Sequence, residues 1–385
     1  MRPDPALGEG PHPYDALLLV SFGGPERPED VVAFLENVTR GKAIPKQRLD
    51  EVAQHYFAVG GRSPINDQNR ALVAAIREDL DGNGLAGLPI YWGNRNWAPY
   101  LEEAFAQMRA DGIERVACLL TSAYSSYSGC RQYRENLAEA AAKVQGGETP
   151  RVDRLRHYFN HPGFVEAMVD ATLGAIAELG EEVRGDARLL FVTHSIPVTM
   201  NQASGPVGSP GGPGATGDRE GGGGAYASQH LSVVSEITER VRQETGHRYP
   251  GHLVYCSRSG PPEVPWLEPG INDRLEELAA QAVPAAVVVP IGFVSDHMEV
   301  IHDLDTEARA SAEKLGIELT RAPTAGLDPR FVSMVRDLLL ERSHAEGGGS
   351  PTRAAVGSQP ASWDVCPMGC CANPRGPRPA LAGQD

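Results

Sequence analysis

The hydrophobic positions of this chain fall into short apolar runs, each stopped by glycine, proline or a polar residue. The first, Asp15-Ala16-Leu17-Leu18-Leu19-Val20-Ser21-Phe22-Gly23-Gly24-Pro25, reads as a buried strand ending in a glycine turn. Ile90-Tyr91-Trp92-Gly93 and Val116-Ala117-Cys118-Leu119-Leu120 predict the next two strands, with a helical pattern from about Pro99 to Arg109 between them. Further strands are predicted near 151–155, 188–193, 253–256, 286–291 and 318–322. Helical patterns run from about Pro28 to Val38, from the tight loop Gly60–Asn66 to about Leu80, from about Ser228 to Thr245, and from Pro329 to Arg342. Strand and helix in alternation predict an α/β fold with mostly parallel sheets and helices on both faces.

The two halves resemble each other. LLLVSFGGP (17–25) aligns without gaps on LLFVTHSIP (189–197), and Ala117–Tyr127 lies against Ala286–Asp296 at a similar offset of about 170 residues. The expectation is two similar Rossmann-like lobes, each with a four-stranded, mostly parallel sheet, and a site in the cleft between them. Phe22 then occupies the place that His194 has in the other lobe. The predicted organisation is a flexible leader (1–13), an N-terminal lobe (14–150), a C-terminal lobe (151–345), and a linker with a cysteine-containing tail (346–385). Between Met200 and Tyr226 the runs Ser209-Pro210-Gly211-Gly212-Pro213-Gly214 and Gly221–Gly224 cannot bury apolar surface, which predicts a disordered surface insertion at about 202–225.

The formal charge of -15 and pI near 5.2 exclude a general nucleic-acid surface, which needs a basic face. No apolar run reaches the roughly 18 residues of a membrane span, and the start lacks the apolar core of a signal peptide. A cytoplasmic protein is the expectation, with peripheral membrane contact left open. Of six cysteines, Cys118 and Cys256 lie in apolar runs and read as inert buried thiols, while Cys366, Cys370 and Cys371 crowd the tail. In a reducing compartment such crowding reads better as metal ligation than as disulfides.

The chemistry gathers at two places. Leu189-Leu190-Phe191-Val192-Thr193-His194 puts an imidazole at the carboxyl end of a predicted strand, where open α/β sheets place ligands. A packed core histidine is the competing reading. Downstream, Glu299, Asp303 and Glu307 fall four residues apart and share one helix face. Stacked like charges repel, so the reading is either a solvated acidic face or a ladder of oxygen ligands passing a divalent cation inward. One histidine with one carboxylate is too sparse for tight permanent metal binding but suits transient binding, or proton removal by imidazole. No GxSxG, Walker or GxGxxG motif is present, so hydrolase and nucleotide-binding readings lack their motifs.

Thr193-His194-Ser195-Ile196-Pro197 with Gly292-Phe293-Val294-Ser295-Asp296-His297-Met298-Glu299 closely resembles the ferrochelatases, which insert ferrous iron into a porphyrin. The resemblance extends through SFGGP (21–25), GGRSPIN (60–66), GNRNW (93–97), SRSGPPEVPWLEP (257–269) and HMEVIHDLD (297–305), covering about residues 14–342. SAYSSYSGC (122–130) gives the look of the actinobacterial branch, which is expected to metallate coproporphyrin III. Chelatase-type lobes are implied. So is catalysis by His194 and Glu299, with His194, Glu299, Asp303 and Glu307 handling the metal in a helix that carries a π-type widening. Phe22, Ser63, Tyr158 and Arg62 are implied substrate contacts, with Arg40, Lys42 and Arg48 as further partners for propionates. Low-GC Gram-positive members have tyrosine at Phe22, so a phenolate ligand is excluded here and Phe22 becomes an apolar wall. The family turn that follows the site histidine is displaced by the glycine-rich insertion.

Cys130 with Cys366, Cys370 and Cys371 gives the ligand count of the [2Fe-2S] cluster held by several ferrochelatases; zinc or reduced thiols are the alternatives. The resemblance implies Fe²⁺ and coproporphyrin III as substrates, no nucleotide, and a monomer in transient contact with neighbouring haem-pathway enzymes. A protoporphyrin IX ferrochelatase, a cobalt or nickel chelatase, and a non-catalytic two-lobed tetrapyrrole or metal carrier remain open.

Overall fold

The computed structural model describes residues 13–41, 45–145, 148–213, 223–260 and 263–385. The leader up to residue 12, Lys42 and positions 214–222 of the glycine-rich insertion lie outside the described residues.

Among the described residues eight strands form two sheets. They are β1 (Ala16–Ser21), β2 (Ile90–Asn94), β3 (Arg115–Leu120), β4 (Arg151–Arg154), β5 (Arg188–His194), β6 (Gly251–Cys256), β7 (Ala285–Val289) and β8 (Glu318–Arg321). The sheet orders are β2-β1-β3-β4 and β6-β5-β7-β8, and every pairing is parallel. The same order in both sheets places β1 opposite β5 and β3 opposite β7, as the two internal alignments require. One expected boundary moves: Arg151–Arg154 was assigned to the second lobe, but it pairs with β3 and closes the first sheet.

Strand alternation accounts for how the sheets pack. Leu17 and Leu19 of β1, with Leu189 and Phe191 of β5, point into one core shared by both lobes. Ala16, Leu18 and Val20 face a core on the far side of the first sheet, and Leu190 and Val192 face its counterpart on the second. Both faces are buried, which is why the runs read as continuously apolar. The last residues of β1 and β5, Ser21 and His194, both reach the cleft.

The helix Lys46–Ala58 was not predicted, since its charged sequence buries only Ala53 and Tyr56. A short helix, Val198–Gln202, leads into the insertion expected to be disordered at about 202–225, whose described residues form turns up to residue 213. The low-complexity linker after Pro329–Glu346 is likewise folded against the body. Val356 N–H donates to Asn160 O at 2.8 Å, Asn160 Nδ2 donates to Gln359 O at 2.8 Å, and Arg353 pairs with Asp364.

Candidate active site

A cavity of about 1220 Å³ opens between the lobes, and Phe22, Ser63, His194 and Glu299 all line it. Two glycines make its walls approach closely. Gly23 has φ +80°, and a Cβ there meets the Asn94 side chain at 2.8 Å. At Gly292 a Cβ meets Thr193 Oγ1 at 2.2 Å, so the loop after β7 can abut the end of β5 only as glycine.

His194 ends β5 with its side chain 34% exposed to the cavity. Its Nδ1 contacts the Ser195 carbonyl oxygen, an acceptor, so Nδ1 carries the hydrogen. In the neutral ring Nε2 then presents the lone pair, and it lies 3.7 Å from Glu299 Oε2. That is too long for a direct hydrogen bond and suits a proton relay or a cation at about 2.1 Å from each group. Tyr226 locks the strand end beneath. Its hydroxyl donates to His194 O at 2.8 Å and lies 2.7 Å from Thr193 Oγ1. Tyr226, directly after the insertion expected at about 202–225, lines the cavity. An aromatic residue opening a helix, Ala225–Thr245, directly after the glycine run was the available signal.

Glu299 begins the acidic segment in the short helix Met298–Val300, which continues as a π-helix over Ile301–Ala308. The i→i+5 bonding there widens the turn, as often happens at functional sites. Asp303 accepts from the Ser257 hydroxyl, and burial, joined by the charges of Glu299 and Glu307, lifts its carboxyl to about 6. His302, Asp303 and Glu307 bring ligand atoms within 4.8 Å of one another, and His302 stacks on His55 from the first lobe at 4.0 Å. Arg321 binds Asp305 at 2.7 Å and Asp296 at 3.1 Å, and so ties the π-helix to the loop that precedes it.

Two expected substrate contacts are corrected. Tyr158 is 2% exposed; its hydroxyl donates to Leu120 O at 2.9 Å and its ring packs edge-on against Phe164 and Phe331, so it belongs to the core. Arg62 is turned outward, 57% exposed and paired with Asp67, and does not line the cavity. Arg40 and Arg48 do line it, as does Arg95, whose guanidinium lies over the Phe22 ring at 5.6 Å and the Tyr133 ring at 4.3 Å. Phe22 itself packs edge-on against Phe34.

The structure brings Cys130, Cys366, Cys370 and Cys371 into one buried cluster. The Sγ atoms of Cys130 and Cys366 lie 4.0 Å apart, and those of Cys370 and Cys371 3.8 Å apart. Arg154, 1% exposed, points Nη2 at Cys366 Sγ at 3.6 Å and has no carboxylate partner among the described residues. Hydrogen bonds from the Cys130 and Cys370 thiols, with the Arg154 guanidinium alongside, hold Cys366 well below the usual thiol range. A buried cation must be compensated, and thiolate sulfur is the compensating charge present.

The ferrochelatase family model matches residues 14–343. The chain belongs to the ferrochelatase family. It is 59% identical over 377 residues to the "Coproporphyrin III ferrochelatase" of Streptomyces griseus, covering 97% of each chain. To the protein of the same name from Frankia alni it is 52% identical, over 94% of this chain and 87% of that one. The "Ferrochelatase" of Rhodopirellula baltica is 44% identical, over 96% and 97%. Both sheets of the chain show the parallel, duplicated arrangement expected of chelatase lobes. Among the described residues no helix is long and apolar enough to cross a membrane.

Proposed function

We propose that this ferrochelatase inserts Fe²⁺ into coproporphyrin III, giving Fe-coproporphyrin III and two protons. The observation that carries the reading is His194 Nε2 beside Glu299, 3.7 Å away, on one wall of a cavity of about 1220 Å³, with Asp303 and Glu307 behind. The names of the relatives supply the choice of porphyrin. Two pyrrole N–H bonds break and two Fe–N bonds form beyond those of the neutral donors, so the site must accept protons while admitting a cation. His194 Nε2 accepts one; Glu299 takes the other or holds the metal on arrival. The ladder suits Fe²⁺, a cation at home with oxygen and imidazole ligands. Phe22 and Ser63 flank the macrocycle from the first lobe, with Arg40 and Arg48 within reach of carboxylates at the cavity edge.

The test is anaerobic Fe²⁺ with coproporphyrin III against protoporphyrin IX, followed by loss of the free-base spectrum. Preference for coproporphyrin supports the proposal. Turnover of protoporphyrin alone replaces the substrate, and stoichiometric binding without turnover replaces the enzyme with a carrier.

The cysteine centre fits a [2Fe-2S] cluster, which would supply a redox-active group. Two thiolates on one tetrahedral metal at about 2.3 Å sit ~3.8 Å apart, and the two close sulfur pairs meet that spacing. Cys130, Cys366, Cys370 and Cys371 would hold the cluster. Zinc held by the same four thiolates is the alternative. Iron and sulfide analysis with a visible spectrum of anaerobically purified protein decides; colourless protein containing zinc would overturn the assignment.

A further inference from the structure

Beyond the cysteines, the tail continues as a strap that reaches the mouth of the cavity, where Arg375 and Arg378 join the lining. Its path is held by buried polar hooks. Asn373 Nδ2 donates to both carboxylate oxygens of Glu135, at 3.2 and 3.0 Å, while its own Oδ1 accepts from Arg375 N–H at 2.9 Å. Gly376 N–H returns to Asn373 O at 3.1 Å, closing a tight turn at φ +109°. Arg131 Nη2 then donates to Arg378 O at 3.0 Å. Glu135 and Arg131 are 6% and 5% exposed and pair with each other at 3.3 Å. Farther on, Asp385 pairs with Arg131 and with Arg134, the latter at 3.1 Å. Both ends of segment 373–378 are therefore fixed from below, and Arg375 and Arg378 are the charged groups it exposes.

Those guanidinium groups differ from the other cations of the cavity. Arg48 is paired with Glu51, Lys143 with Glu102 and Glu139, and Arg40 and Arg95 bind asparagine side chains. Among the described residues Arg375 and Arg378 have neither an ion pair nor a side-chain hydrogen bond, in a chain with 50 acidic and 35 basic residues. A positioned guanidinium without a carboxylate, at the edge of a cavity, is suited to a carboxylate that arrives with a ligand.

We infer that Arg375 and Arg378 form a carboxylate-binding pair on the strap that favours tetrapyrroles carrying four carboxylates over those carrying two. The inference rests on the tetrapyrrole reading of the cavity. Porphyrin affinity of the full-length protein, measured by fluorescence quenching at low and high salt, tests it alongside steady-state kinetics. In Arg375→Ala/Arg378→Ala, affinity for coproporphyrin III falls about 3- to 30-fold, the range for two exposed charge contacts, and KM rises while kcat holds. Affinity for protoporphyrin IX changes far less, and the salt dependence of coproporphyrin binding flattens. Arg375→Lys/Arg378→Lys restores most of the loss, and an unchanged thermal midpoint shows that the fold is intact. Wild-type coproporphyrin affinity in the alanine variant, or equal losses for both porphyrins, overturns the inference. Failure of the wild-type protein to metallate any porphyrin sinks instead the function proposed above, because binding is read without turnover.

Discussion

Asp303 makes a stability sacrifice that can be measured apart from catalysis. Burial, with Glu299 and Glu307 nearby, raises its carboxyl from 3.8 to about 6, against the lowering effect of the Ser257 hydroxyl. Between those values the folded protein binds more protons than the unfolded chain, so stability falls as pH rises through this window, and the full cost is present above about pH 6. A shift of about two units at 1.36 kcal/mol each is about 3 kcal/mol, which partial solvent access trims to about 1–3 kcal/mol. Asp303→Asn keeps the shape and an acceptor for Ser257 but cannot ionise. With chelator present, urea unfolding at pH 4 to 8 should show a variant advantage that is small at pH 4, about half-developed at pH 5, and levels off at about 1–3 kcal/mol above pH 6. Iron insertion by the same variant should fall roughly 10-fold or more at limiting Fe²⁺, the scale of a perturbed metal site, and recover as iron is raised. A stability difference that does not vary with pH, or a variant less stable at pH 8, would refute the assignment of Asp303 as a strained, buried rung of the acidic ladder.

Three further outcomes follow from single contacts. His194→Ala should abolish iron insertion while porphyrin still quenches fluorescence on binding; near-normal turnover would remove His194 as the base. Tyr226→Phe deletes the hydroxyl that binds His194 O and Thr193 Oγ1, so urea titration should show a loss of about 1–2 kcal/mol, and unchanged stability would show that the strand end does not depend on this contact. Cys130→Ser should remove the visible chromophore of anaerobic protein and expose the tail after Glu346 to limited proteolysis; retention of both colour and protection would exclude Cys130 as a ligand.

What could be read in the residues alone was whatever follows a short period. The strand run to His194 and the four-residue spacing of Glu299, Asp303 and Glu307 survive in the structure because a strand end and one helix face are local consequences of the backbone. Tyr158 was misplaced for the complementary reason. Following β4, an aromatic side chain can turn to either side of the sheet, and only the Leu120 carbonyl and the rings of Phe164 and Phe331 decide which. Arg62 was misplaced because a loop charge gives no direction until Asp67 takes it. The segment after Glu346 failed differently. Its low-complexity composition carries no pattern, and its attachment comes from backbone groups meeting Asn160 and from Asn373 and Asp385 meeting the charges of Glu135 and Arg134. Polar docking of this kind needs no periodic pattern and spans more than two hundred residues of sequence, so it leaves no local trace. It also explains why such a segment can hold both a metal centre and a cavity edge: each hydrogen bond fixes direction, whereas apolar burial would fix only depth. A strap held by directed contacts can therefore present Cys366, Cys370 and Cys371 inward and Arg375 and Arg378 outward within a few residues of each other.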